Sequence, residues 1–138
     1  HIRNHVFSET NKKKKSKSNL EKSNTYTKKT IEHCKKAISF FENKFSNPKF
    51  FIFSNDFSLV SQTFSGDQYK FINSNKISNP IDDFYLMTLC KNFIISPSTY
   101  SWWAAWLCKH KNKICVKPPK DLFMSNNLDI YPDDWVSI

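Results

Sequence analysis

The chain has 138 residues, 16% of them aromatic, with a formal net charge of +9, four cysteines and one glycine. That length fits a single domain with a real core and is short for a complete two-domain enzyme. The lone glycine, Gly66, excludes the glycine-rich phosphate loops of dinucleotide-binding and P-loop proteins.

The basic excess is confined to residues 1–50, which hold 13 Lys and Arg against 4 Asp and Glu, whereas residues 51–138 hold 8 of each. Much of it lies in Lys12-Lys13-Lys14-Lys15-Ser16-Lys17. No stacking aromatics interleave with these lysines, so nucleic acid is not an expected partner. Attraction of the run to an anionic membrane surface, as a peripheral association, stays open. Cys34, Cys90, Cys108 and Cys115 lie far apart with no C-x-x-C pair, and His1, His5, His33 and His110 form no helical H-x-x-x-H pair. Reduced thiols, a cytoplasmic setting and no metal or cofactor are expected. No apolar run reaches transmembrane length. A chain opening on His1 without methionine is expected to be part of a longer polypeptide.

In chain order, His1-Ile2-Arg3 reads as the end of a strand, and residues 8–25, rich in Lys, Ser and Asn, as a flexible loop. Thr27 to Phe45 predicts an amphipathic helix, since Ile31, Cys34, Ile38, Phe41 and Phe45 recur on one face. Asn47-Pro48 stops it. Lys49 to Phe53 predicts a buried strand, and Asp56 the cap of a short helix carrying Phe57, Val60 and Phe64. Tyr69 to Ile72 is a weaker strand, followed by polar turn material to Pro80 and a helix through Phe84, Leu86, Met87 and Cys90, capped by Asp82 or Asp83. Phe93-Ile94-Ile95 is a short apolar strand, Ser96-Pro97-Ser98-Thr99 a turn, and the run to Leu107 a helix crowded with Trp and Ala. Lys113 to Val116 closes the series as one more strand, with Trp135 expected to pack the tail.

The strand–turn–helix unit over 93–107 can carry chemistry on physical grounds. The first N–H groups of a helix lack intrahelical acceptors and face the positive end of its dipole, which makes such a turn an anion site. Ser98, Thr99 and Ser101 would add hydroxyl donors there. The same residues also fit a plain helix cap over a core of tryptophans.

The string Ile94-Ile95-Ser96-Pro97-Ser98-Thr99-Tyr100-Ser101-Trp102-Trp103-Ala104-Ala105-Trp106-Leu107 resembles the signature block of the alpha-1,2-fucosyltransferases, glycosyltransferase family eleven, with Pro97 at an Asn position. Asp83-Phe84-Tyr85-Leu86-Met87-Thr88-Leu89-Cys90 resembles a second block of that family, and Asn127 to Val136 its closing block. The resemblance runs from about Tyr26 to Ile138. His1 and Arg3 match half of a His-x-Arg-x-Gly-Asp motif, with Val6 where the acid belongs, and Asn55 replaces an acid after the Phe50–Phe53 strand.

The alternation of helices and buried strands predicts an α/β fold. The resemblance implies a Rossmann-like, mostly parallel sheet flanked by helices, with residues 1–138 forming a single partial domain, the C-terminal, donor-binding half of a GT-B glycosyltransferase. It implies transfer of fucose from GDP-fucose to the 2-hydroxyl of a terminal galactose in a glycan, with inversion and without a metal. Arg3, Ser98, Thr99 and Ser101 would meet the diphosphate, while Asp83 and His1 would hold the guanosine. No catalytic base is assigned. The alternative is a truncated or degenerate nucleotide-sugar-binding domain that catalyses nothing, in keeping with the lost Gly-Asp after Arg3.

Overall fold

A computed structural model of the protein describes residues 1–4, 17–72, 79–122 and 130–138. It is a mixed α/β fold of short parallel strands flanked by helices. The elements are α1 (Lys17–Lys44), β1 (Phe50–Ile52), α2 (Ser58–Thr63), β2 (Tyr69–Phe71), α3 (Pro80–Thr88), β3 (Phe93–Ile94), α4 (Thr99–Leu107), β4 (Cys115–Val116) and a closing 3-10 turn (Lys120–Leu122).

β1 and β2 pair in parallel with Phe50 opposite Tyr69, and β3 and β4 pair in parallel with Phe93 opposite Cys115. Residues 1–4 lie between these two pairs. Ile2 forms a parallel bridge to Ser54. Its N–H donates to the Phe53 carbonyl at 2.9 Å, and the His1 amine donates to the Ile94 carbonyl, also at 2.9 Å. Val136 forms a further parallel bridge to Val116 on the far side of β4. The order across the molecule is therefore β2, β1, residues 1–2, β3, β4, Val136.

Pleating sends alternate strand side chains to opposite faces, and a different helix covers each. Ile52 and Ile2 meet Ile31, Cys34 and Ile38 of α1 together with Val60 and Phe64. Val116 meets Ala37 and Phe41 of the same helix. On the other face Phe53 packs on Met87 of α3 and Ala104 of α4, while Phe93, Ile95 and Cys115 pack on Ala105, Cys108 and Trp135. Ala104 and Ala105 are wholly buried, so only methyl groups separate α4 from the strands. Trp135 docks the tail as expected, its ring 5.8 Å from that of Trp102.

Three expectations are corrected. The long helix starts at Lys17, ten residues before Thr27, so residues 17–25 of the expected loop are helical; residues 5–16 lie outside the described residues. Tertiary packing overrides the weak local signal: Ser23, Tyr26, Thr27 and Thr30 are all buried. The helix ends as predicted, with Asn47 in the left-handed region at φ 52° before Pro48. The second correction concerns α3. Its cap is Asn79, whose side chain accepts from the Ile81 N–H at 3.0 Å; Asp82 and Asp83 stand inside the first turn, behind Pro80. At α2 the N-cap is Phe57, without a side-chain cap bond, and Asp56, one residue earlier, accepts from the Ser58 N–H at 2.9 Å. Among the described residues no helix is long and apolar enough to cross a membrane.

Candidate functional site

The turn between β3 and α4 is built from the inside. Ile95 and Ser96 are fully buried, which fixes the carboxyl end of the strand. Ser98 is extended, with φ −149° and ψ 128°, and is the residue before the helix proper. The Trp102 N–H makes the first intrahelical bond, to the Ser98 carbonyl at 3.0 Å. The N–H groups of Thr99, Tyr100 and Ser101 thus precede it as the open donors of a helix start. The Ser98 hydroxyl makes no cap bond among the described residues. The cap alternative predicts one.

Ser101 behaves differently from Ser98 and Thr99. Its hydroxyl is buried and donates back into the turn, 3.3 Å from the Ser96 carbonyl and 3.2 Å from the Ser98 carbonyl. It shapes the turn from within, where the sequence had placed it as a donor toward a ligand.

The amino-terminal segment converges on the same place. His1 Nδ1 lies 3.1 Å from Ser96 Oγ, and the His1 ring stands 5.6 Å from the ring of Tyr100 in the first turn of α4. Tyr100 packs edge-on against Phe84 and donates its hydroxyl hydrogen bond to the Pro80 carbonyl, tying the start of α4 to the start of α3. Burial raises the Tyr100 pKa, and the Asp83 carboxylate raises it further. The structure therefore brings His1, Asp83, Tyr100 and the Ser98-Thr99 turn together. Arg3 is half-buried beside α1. Burial pushes the Tyr26 phenol up to about 12 against the smaller, opposing effects of a Thr30 hydrogen bond and the Arg3 charge.

Asn4 joins this end of the sheet to the loop after β1. Its N–H donates to Asn55 Oδ1 at 2.8 Å, and the Asn55 amide returns a bond to the Asn4 carbonyl at 3.1 Å. Asn4 Nδ2 donates to Ser54 Oγ at 3.1 Å and to the Asp56 carbonyl at 2.7 Å. The returned bond needs an amide donor at position 55, which a carboxylate lacks.

The sequence profile of glycosyl transferase family 11 matches residues 17–138, from the start of α1 through the turn and α4 to the tail. The chain belongs to glycosyl transferase family 11.

Two family relatives from Escherichia coli are each 33% identical to it over 109 residues. One is the O-antigen biosynthesis glycosyltransferase WbnK, with 78% of this chain and 36% of that protein covered. The other is an alpha-1,2-colitosyltransferase, with 74% of this chain and 37% of that protein covered. The chain thus spans little more than a third of the length of these relatives. No solved structure matches it.

Residues 1–4 precede the part matched by the family 11 profile, so His1 joins the site through geometry. Sequence reasoning missed a second layer, the polar amino-terminal half of α1. Ser23, Tyr26, Thr27, Thr30 and His33 continue the stripe of Cys34, Ile38 and Phe41 at helical spacing and are all buried. Burial pushes His33 down to about 4, opposed by a hydrogen bond to the Ile95 backbone at the base of the turn. Among the described residues Asn4 Oδ1, Thr27 Oγ1 and His33 Nε2 have no partner. The signal was available in principle: an apolar stripe that turns polar without leaving its face. Tyr100, the ring between His1 and Phe84, also escaped notice as a link.

Proposed function

We propose that the chain is the donor-binding part of an inverting, metal-independent glycosyltransferase that moves fucose from GDP-fucose to the 2-hydroxyl of a terminal galactose in a glycan. The observation that carries this reading is the convergence of His1, Tyr100 with Asp83 beside it, and the Ser98-Thr99 turn at one end of the parallel strands. Numbered along the chain, the order β2, β1, residues 1–2, β3, β4 reads 3-2-1-4-5, which is compatible with a Rossmann-like half of a GT-B enzyme. In such sheets ligands lie beyond the carboxyl ends, where the order reverses between the first and fourth strands. Here that crevice falls between residues 1–4 and β3.

In this reading the diphosphate lies on the open N–H groups of Thr99 and Tyr100, with the Ser98 and Thr99 hydroxyls as further donors and the Arg3 guanidinium as a fixed positive charge. Attack of the galactose 2-hydroxyl on the anomeric carbon forms the new C–O bond as the bond to the diphosphate breaks. The electron pair leaves with GDP, and these donors stabilise the charge that develops on it, the part a metal plays in other transferases. The hydroxyl proton goes to a general base that is not among the residues named. Asp83 accepts from the guanine N1–H and N2–H groups, with His1 beside the guanosine.

The test is calorimetric titration of the chain with GDP and with GDP-fucose, repeated with Arg3→Ala and with the Ser98→Ala/Thr99→Ala double variant. Because one relative is named for alpha-1,2 transfer of colitose, a colitose donor is run beside GDP-fucose. Binding that each variant weakens by more than about 1 kcal/mol, the scale of a charge-assisted hydrogen bond, supports the reading. A folded chain that binds no GDP would make it a degenerate domain.

A further inference from the structure

α3 and α4 lie side by side on one face of the strands and run the same way. The Tyr100 hydroxyl joins their starts through the Pro80 carbonyl, and Cys108 Sγ joins their ends, donating to the Cys90 carbonyl at 3.2 Å. Met87 and Ala104 turn inward together onto Phe53. At about 3.6 residues per turn, a side chain two places away points roughly 200° round, to the outside. Tyr85 and Leu89 stand two places either side of Met87, and Trp103 and Trp106 flank the buried pair Ala104-Ala105.

That outer face is apolar, where a helix layer facing water is ordinarily polar. Ile81, Tyr85 and Leu89 are 72%, 63% and 61% exposed, and Trp103, Trp106 and Leu107 are about half exposed. The rings are held in place. The Trp102 indole N–H donates to the Ile130 carbonyl at 2.8 Å, Trp106 stacks on Trp102 at 5.2 Å, and Trp103 stands edge-on to it at 4.9 Å. Large groups already fixed lose little freedom when a second surface covers them. Charge sits only at the two ends of the face. α3 has Asp82 and Asp83 in its first turn, α4 has no charged residue, and exposed Lys91, Lys109 and Lys111 follow the ends of the two helices.

We propose that this face is a homodimer interface, on which a second copy of the chain docks about a two-fold axis with its helices antiparallel. A two-fold contact sets one patch against itself, so the patch must be self-complementary. Turned end for end, the apolar middle meets an apolar middle, and the Asp82 end of each copy meets the Lys91, Lys109 and Lys111 end of the other. An aromatic-rich centre depleted of charge, with charges at the rim, is the ordinary composition of such interfaces. A negatively charged lipid surface would attract the basic end and repel the acidic one. Docking in this way does not depend on a nucleotide.

Sedimentation equilibrium over a dilution series reads the dimer dissociation constant, in about 0.15 M salt so that the +9 charge of each copy is screened beyond about 8 Å. The chain is expected to form a dimer. Trp106→Lys and Tyr85→Lys, both on the surface, are each expected to raise its Kd at least about tenfold while keeping the urea midpoint. Asp82→Lys and the triple variant Lys91→Asp/Lys109→Asp/Lys111→Asp are each expected to weaken self-association. An equimolar mixture of the two should restore it, because the swapped ends then match. A chain that stays monomeric overturns the proposal, also where it sediments with phosphatidylglycerol vesicles, which would make the face a membrane contact. So does a dimer whose Kd a folded Trp106→Lys or Tyr85→Lys chain leaves unchanged, or a mixture that associates no more tightly than its components.

Discussion

Replacing Ser98 by Ala should leave the fold intact and weaken the binding of GDP. A serine that caps a helix with its side chain contributes about 1 kcal/mol. Ser98 has the extended backbone of a cap but makes no side-chain cap bond, so its loss should change stability by less than about 0.5 kcal/mol. A hydroxyl donating to a charged phosphate contributes about 1.5–3 kcal/mol, which corresponds to roughly 10- to 150-fold in Kd. Urea unfolding followed by tryptophan fluorescence gives the first quantity and GDP titration the second. Ser101→Ala is the counterpart: its buried hydroxyl donates to the Ser96 and Ser98 carbonyls, and its loss should destabilise the fold by about 1–2 kcal/mol. A Ser98→Ala protein that loses about 1 kcal/mol or more of stability while binding GDP as before would refute the assignment. The turn would then be a helix cap and nothing more.

Other expectations follow from the core and the caps. His33 is held neutral, with its pKa lowered to about 4 from an ordinary 6.5, so the unfolded chain binds the extra proton; stability is full above pH 6.5 and falls toward pH 4, by at most about 1.4 kcal/mol per pH unit. Urea midpoints at pH 7, 6 and 5 should show a shallower slope in His33→Gln than in the parent. Val116→Ala removes two buried methyl groups between Ala37 and Phe41 and should destabilise by about 2 kcal/mol in the same assay. Asn79→Ala should lower stability by about 1 kcal/mol, whereas Asp82→Asn, inside the first turn, should change it much less. A larger effect at Asp82 would mean that the capping reading of α3 is wrong.

The sequence carried the strands and the turn because their signals are local. Lys49 to Phe53 and Phe93 to Ile95 are short apolar runs bounded by polar residues, and Pro97 separates strand from helix. The start of α1 was not legible. Residues 17–25 read as solvated coil by composition, and they become helical because Ser23, Tyr26, Thr27 and Thr30 are buried in the fold, a long-range condition that no window of sequence contains. The cap of α3 was misread for a related reason: Asn79, Asp82 and Asp83 are all acceptable caps, and Pro80, which fits the first helical position, decides among them. In the turn, the residue types were legible and the directions of their hydroxyls were not. Ser98 and Ser101 are the same residue three positions apart, and only the structure shows that one points inward. Asn55 read as a lost acid, yet its amide makes the bond that holds residue 4 in place.

Ala104 and Ala105 give the core a say in how far the turn reaches. Because only methyl groups separate α4 from Phe53 and Phe93, the helix rests against the strands as against an end-stop. A bulkier side chain at either position would lift α4 and carry the open amides of Thr99 and Tyr100 away from the strand ends. The depth of the turn is therefore gauged from behind, by two residues of the core.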